Sequence, residues 1–213
     1  MTEIFSENER KQIHEIINNY NEDVTQEFEI RLGIWKKQRG KKLEFSPEIT
    51  KEKYDELFDS SLIKHSDKEE ITATIYTDSN YRKIIHLDKD LKQIIKGPIE
   101  FSQKLSIKKE NLNDKNTRFA LSKEIPINEE QFGKSEIRLF KIRYRYSRLS
   151  KDGNWRYDFA KIYDTSHFKT GFTKKIEAKN KIDNWKQEIK ENKRETRYEL
   201  EIEYLGKDLD NLY

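Results

Sequence analysis

Cysteine is absent from all 213 positions. That excludes a disulfide framework and any thiolate metal site, and it fits a reducing compartment. Absent too is any apolar run near the ~20 residues that a membrane-spanning helix needs. The first residues show no signal-peptide pattern. The expectation is a soluble intracellular protein with no membrane partner. Apolar residues are scarce, 33% against 39% charged, and such a balance leans toward disorder. Eleven Tyr, eleven Phe and three Trp argue instead for a packed core. The charges nearly cancel, 43 basic against 40 acidic, so the net charge alone says little about nucleic acid. His14, His65, His86 and His167 show no ligand spacing. With no tandem repeat, low-complexity tract or linker, residues 1–213 read as a single domain.

What the chain does have is alternation. In Arg197-Tyr198-Glu199-Leu200-Glu201-Ile202-Glu203-Tyr204 polar and apolar residues alternate throughout. A β-strand sends successive side chains to opposite faces, so Glu199, Glu201 and Glu203 share one face. Their neighbours Tyr198, Leu200, Ile202 and Tyr204 share the other, packed on a core. Three carboxylates spaced about 6–7 Å apart repel one another. Something cationic must face them, and a metal ion is the first candidate. Near the start, Glu27-Phe28-Glu29-Ile30-Arg31-Leu32-Gly33 repeats the pattern. Glu27, Glu29 and Arg31 share a face there. Two acidic strands separated by most of the chain imply one site that closes the fold.

Between them the chain reads as follows. Residues 6–20 form a helix, with Ser6 and Glu9 as a capping box and Ile13, Ile16, Ile17 and Tyr20 as its stripe. Residues 24–35 are the first strand, ending near Gly33, and 36–42 (Lys-Lys-Gln-Arg-Gly-Lys-Lys) a basic loop able to touch a phosphate backbone. Thr50 opens a second helix bearing Tyr54, Leu57 and Phe58. Strands at 70–77 and 80–87 meet at a turn through Asp78-Ser79-Asn80. Residues 92–108 carry β-prone sequence broken by Gly97-Pro98, and 117–125 alternate again. The clearest hairpin is 136–163, turning at Lys151-Asp152-Gly153-Asn154. That Lys-Asp-Gly run resembles a guanylyltransferase nucleophile motif only superficially, because a hairpin turn explains it. A short strand at 172–178 and a helix at 180–193 lead into the last strand.

Over at least five strands one face is apolar and the other carries charge. Sheets with one solvated face would explain any single strand. The distribution argues further. Acids cluster on the first and last strands, whereas Arg118, Arg143 and Arg145 lie on middle ones, and small residues (Ala120, Ser122, Ser147) sit among them. Arginine suits bidentate phosphate recognition. An antiparallel barrel of about eight strands holds side chains or one small ligand. With its charged faces inward, it would set an acidic floor beside a basic wall, as a metal–polyphosphate requires. Hard Mg²⁺ or Mn²⁺ prefer carboxylate oxygens. The apolar outside would be covered by amphipathic helices. The fold expected is therefore mainly β (α+β).

Glu-x-Glu-x-Arg early and Glu-x-Glu-x-Glu late, with Arg118-Phe-Ala-Leu-Ser-Lys-Glu124, Arg143-Tyr-Arg145-Tyr-Ser147 and Trp155-Arg-Tyr-Asp158 between, resemble the triphosphate tunnel metalloenzymes. The likeness is to their metal-dependent RNA triphosphatases, and among these to the first domain of giant-virus (mimivirus-like) mRNA capping enzymes. It spans residues 24–204. The resemblance implies a closed eight-stranded antiparallel tunnel and an enzyme that hydrolyses the γ-phosphate of 5′-triphosphate RNA, the first step of capping. It implies Mg²⁺ or Mn²⁺ held by Glu27, Glu29, Glu201 and Glu203, with Glu199 in support. Arg31, Arg82, Arg118, Arg143 and Arg145 would bind phosphates, joined by Lys104 or Lys96. Glu124 would orient water, and Asp158 would brace an arginine. The partners implied are nascent RNA ends and guanylyltransferase and methyltransferase domains, and for a viral protein the place is the virion or the site of viral transcription. Rival readings are a tunnel phosphatase for free nucleotides, thiamine triphosphate or inorganic polyphosphate, and a non-catalytic phosphate- or RNA-binding module.

Overall fold

Alternating strands of this kind can bury their apolar faces in two ways, into a barrel or away from it. Here they point away. The computed structural model describes residues 6–20, 26–37, 43–59, 63–87, 100–112, 116–167 and 197–205. In chain order these form α1 (Glu7–Ile17), β1 (Gln26–Leu32), β2 (Ile34–Lys37), β3 (Leu43–Ser46), α2 (Lys51–Phe58), β4 (Ile63–Thr77) and β5 (Tyr81–Leu87). Then come β6 (Glu100–Leu112), β7 (Thr117–Pro126), α3 (Glu129–Gly133), β8 (Ile137–Ser150), β9 (Trp155–His167) and β10 (Arg197–Tyr204). Eight strands close an antiparallel barrel in the order β1-β10-β9-β8-β4-β5-β6-β7, and β2 and β3 form a separate two-stranded ribbon. Among the described residues no helix is long and apolar enough to cross a membrane.

The apolar core lies on the outer wall, under the helices. Ser6 Oγ accepts from the Glu9 amide at 3.3 Å while Glu9 Oε2 accepts from the Ser6 amide at 2.7 Å, so the capping box sets the start of α1. Its Ile13, Ile16 and Ile17 then pack on Phe28, Phe119, Leu121 and Tyr204 of the wall. Thr50 caps α2, accepting from the Lys53 amide at 3.2 Å. That helix sets Tyr54 against Phe159 and Leu200. A third helix, not foreseen in the sequence, is capped by Asn128 and Gln131; it lays Phe132 on Ile71, Ile75 and Phe140. Five residues with a weak stripe give little periodic signal, which is why α3 escapes a reading by pattern.

Other expectations need adjustment. The first strand ends at Gly33 as expected, but beyond it the chain turns into the β2–β3 ribbon, so Ile34 to Lys37 form a strand of their own and Lys36 and Lys37 are strand residues rather than loop. A Cβ at Gly33 would come within 2.1 Å of the Ser46 carbonyl oxygen and 2.6 Å of the Phe45 ring. Only glycine lets the ribbon fold this closely over the end of β1. Strand β4 begins at Ile63, seven residues before the predicted start, and β6 runs from Glu100 to Leu112 rather than ending at 108. The turns at Asp78–Asn80 and Lys151–Asn154 stand where expected, with Asn80 (φ 59°) and Gly153 (φ 80°) in the left-handed region. The strand expected at 172–178, the helix at 180–193 and Lys96 lie outside the described residues.

Phe159 is fully buried, its ring 5.5 Å from Tyr54 and 5.2 Å from Phe58. Phe159→Ala is expected to lower the unfolding free energy by about 3–5 kcal/mol, read by chemical denaturation.

Candidate active site in a charged tunnel

Register decides what the lumen contains. Across β1 and β10, Glu29 stands opposite Glu203 and Arg31 opposite Glu201. Across β1 and β7, Glu27, Glu29 and Arg31 face Ser122, Ala120 and Arg118. Strand β9 sets Arg156, Asp158 and Ala160 beside Glu203, Glu201 and Glu199. Strand β8 adds Arg145 opposite Ala160 and Ser147 opposite Asp158. Strand β4 then places Glu70 opposite Arg145, and Lys104 of β6 faces Glu124 of β7. Because side chains alternate, every one of these groups shares the inner face.

The charges pair across the lumen. Lys104 Nζ lies 2.9 Å from Glu27 Oε2 and 2.9 Å from Glu29 Oε2. Arg31 Nη2 lies 3.2 Å from Glu29 Oε2 and 2.8 Å from Glu201 Oε2. Lys141 Nζ donates to both oxygens of Glu199, at 2.8 and 2.9 Å, and Arg143 approaches the same carboxylate at 3.6 Å. Buried Asp158 accepts from Arg145 Nη1 at 3.2 Å, from Arg156 Nε at 3.2 Å and from Ser147 Oγ at 2.6 Å. Arg145 also donates through Nε to Glu70 at 3.1 Å, and Arg156 pairs with Glu203. Arg82 Nε donates to Ser102 Oγ at 2.8 Å and to Glu124 at 3.1 Å.

Titration follows from this crowding. Burial drives the Glu29 carboxyl above its usual range, and the neighbouring Glu201 charge adds to it. Burial acts on Glu201 in the same sense, but Arg31, Lys104 and Arg143 overcome it and hold Glu201 ionised well below that range. Glu203 is pushed up to about 7 by burial, against the pull of Arg156 and with the charges of Glu27 and Glu201. Lys141 falls to about 8, through burial and then Arg143. Burial lowers Lys104, yet Glu29, Glu201 and Glu27 raise it further.

All eight predicted acidic and basic positions on β1, β8 and β10 — Glu27, Glu29, Arg31, Arg143, Arg145, Glu199, Glu201 and Glu203 — share this inner face. Glu27, Glu29 and Glu201 converge on the Lys104–Arg31 pair. Glu203 is drawn toward Arg156, and Glu199 toward Lys141 and Arg143. Arg82, Lys104, Arg118, Glu124 and Asp158 also line the lumen, Arg118 at one end of it. Sequence reasoning passed over Glu70, Lys141 and Arg156 as site residues. Parity placed Lys141 and Arg156 on the charged face, and Glu70 alternates with Ile71 in the same way. What no single strand shows is which cation each one meets. Lys109 is hidden differently: a register shift between Ser106 and Lys108 lets both Lys104 and Lys109 face inward despite opposite parity.

The donor set suits a hard divalent cation. Glu27 and Glu29 already close on a single cationic atom, Lys104 Nζ. Burial and the neighbouring Glu201 charge both raise the Glu29 carboxyl, a repulsion that a divalent cation between the two would relieve. Among the described residues no three acidic or histidine side chains are yet gathered as a closed metal cluster; Lys104 and Arg31 stand among them.

No protein-family description matches the sequence, and no curated protein does. Solved structures do. The monoclinic form of the mimivirus capping enzyme triphosphatase matches at 18% identity and TM-score 0.60, over 98% of this chain and 94% of that one. The RNA triphosphatase domain of a trifunctional mimivirus mRNA capping enzyme matches at 17% and 0.59, over 98% and 92%. The S. pombe Pct1 RNA triphosphatase matches at 14% and 0.55, over 92% and 76%. At such identities the likeness is one of fold: this chain has the tunnel fold found in those proteins.

Asp158→Ala strands two arginines inside the tunnel. It is expected to cost about 3 kcal/mol in chemical denaturation. Lys51→Ala, which breaks the exposed pair with Asp55 on α2, should leave the denaturation midpoint nearly unchanged.

Proposed function

We propose that this chain is a metal-dependent RNA 5′-triphosphatase that converts a 5′-triphosphate RNA end to a 5′-diphosphate, the first step of mRNA capping. The observation that carries the reading is the lumen itself. Carboxylates of β1 and β10 face Lys104 of β6 and Lys141 and Arg143 of β8, while Arg82 of β5 meets Glu124 of β7, inside a fold shared with RNA triphosphatases. A pure anion-binding site would gain nothing from those carboxylates.

In this reading Glu27, Glu29, Glu201 and Glu203 hold Mg²⁺ or Mn²⁺, with Glu199 acting through its cations. The bound ion would supply charge neutralisation at the γ-phosphate oxygens. Everything else falls to the chain. Arg143 and Arg145, with Lys104 and Arg31, draw the triphosphate in and offset the charge that spreads over the transferring phosphoryl group. Asp158, Glu70 and Ser147 keep Arg145 and its neighbour Arg156 aimed before substrate arrives, so the orientation is already set. Glu124, fixed by Arg82, accepts a hydrogen bond from water and turns its oxygen toward the γ-phosphorus. The new P–O bond forms as the bridging oxygen leaves with the β-phosphate, giving inorganic phosphate and the diphosphate end. The product is what a guanylyltransferase consumes, so capping domains in the same chain or complex are the natural partners. The mimivirus neighbours support the viral setting that the sequence resemblance implies.

The test uses RNA labelled at its γ-phosphate. Phosphate release should require Mg²⁺ or Mn²⁺, and metal-independent release, or none, refutes the reading. Glu29→Ala and Glu201→Ala are each expected to abolish release while the far-ultraviolet dichroism stays that of a folded barrel. Arg145→Ala should lower kcat by about 10²-fold or more, the scale seen when one preorganised donor to a developing charge is lost. Faster turnover on thiamine triphosphate or tripolyphosphate than on RNA would move the assignment to those substrates.

A further inference from the structure

Two cations at one end of the tunnel differ from the rest. Elsewhere in the lumen, Arg31, Lys104, Lys141 and Arg145 are each tied to a carboxylate. Arg118 is tied to none among the described residues. Its Nε donates to the neutral Asn111 Oδ1 at 2.9 Å, and its guanidinium lies 4.3 Å over the ring of Phe45. Both partners fix the arginine without cancelling its charge. Lys109 lies on the same inner face, opposite Ala120 and beside the Asn111–Arg118 pair, and it forms no ion pair with a described carboxylate. Burial lowers the pKa of both groups. For Lys109 the charge of Arg118 adds to this, and for Arg118 the charge of Arg31 does. The Glu29 charge acts on both in the opposite sense but is outweighed. Two neighbouring cations with no ion-paired carboxylate among the described residues are set to receive an anion.

Their position says which anion. Leu32↔Thr117 is the last pair of β1 with β7, and Arg31↔Arg118 the one before it. Glu29 and Glu27 stand further along β1, opposite Ala120 and Ser122, so Lys109, also opposite Ala120, is level with Glu29 while Arg118 is nearer the end. Lys109 is exposed to solvent. The β2–β3 ribbon, which brings Phe45, is pinned over this end by the close approach of Gly33 to Ser46, with Trp35 edge-on to Phe45 at 5.4 Å. An anion shared by Arg118 and Lys109 therefore sits at the solvent-exposed edge of the carboxylate chamber, beside Glu29 rather than among the deeper acids.

We propose that this rim binds the first internal phosphodiester of single-stranded RNA, so that the tunnel grips an RNA end at two points and a free nucleotide at one. The proposal rests on the triphosphatase reading for its biological sense, but its test does not. A fluorescent oligoribonucleotide with a 5′-hydroxyl end is titrated without divalent metal and with saturating tripolyphosphate to occupy the chamber. Binding should persist. Lys109→Ala should weaken it and reduce the slope of log K against log salt by about 0.7, one single-strand phosphate contact. Lys109→Arg should restore both. No binding, displacement of the RNA by tripolyphosphate, or an unchanged slope in Lys109→Ala overturns the rim site. Release of labelled γ-phosphate from triphosphate RNA is measured on the same proteins. If release is absent while Lys109-dependent binding holds, the catalytic reading alone falls; if release holds and binding ignores Lys109, the rim alone falls.

Discussion

The structure depends on burying charge of both signs inside one ring of strands. An isolated buried carboxylate or ammonium costs several kcal/mol. The ring meets that cost by matching, with Lys104 between Glu27 and Glu29, Arg31 between Glu29 and Glu201, and Asp158 among Arg145, Arg156 and Ser147. The match is looser at Arg118 and Lys109, which form no ion pair with a carboxylate among the described residues.

The same constraint explains a composition that looks marginal for a folded protein. With the lumen given to polar groups, apolar side chains are needed only on the outer wall and on the helix faces that cover it. A third of the residues suffices, because aromatics such as Phe28, Phe119, Phe140 and Phe159 each bury a large area. Their placement under α1, α2 and α3 also means that the helices stabilise the barrel from outside and leave its inner face to the charged groups.

How much of this the sequence shows depends on the length scale of the signal. Parity along a single strand is local, so the two faces of β10, β1 and β8 are plain in the letters, and with them most of the acidic and basic positions. A capping box is local too, and α1 begins where Ser6 and Glu9 place it. Pairings between strands are not local. Nothing in Glu70 by itself names Arg145 as its partner, and nothing in Lys141 names Glu199. The register shift in β6 defeats parity outright at Lys109. Gly33 marks the end of β1 in the letters, but the reason only glycine fits there, a carbonyl of Ser46, arrives from elsewhere.

The inverted wall has a consequence for how such a protein can drift. Along each strand one set of positions answers to packing beneath the helices and the other to chemistry within the lumen, so few sites on the strands are idle. Yet the packed set asks only for apolar bulk. Isoleucine, leucine, valine and phenylalanine can replace one another there with modest repacking. What survives divergence is then the alternation and the sign of charge at each height, rather than the letters. The same walls can therefore be built from sequences that share as little as the 14–18% found between this chain and its structural neighbours.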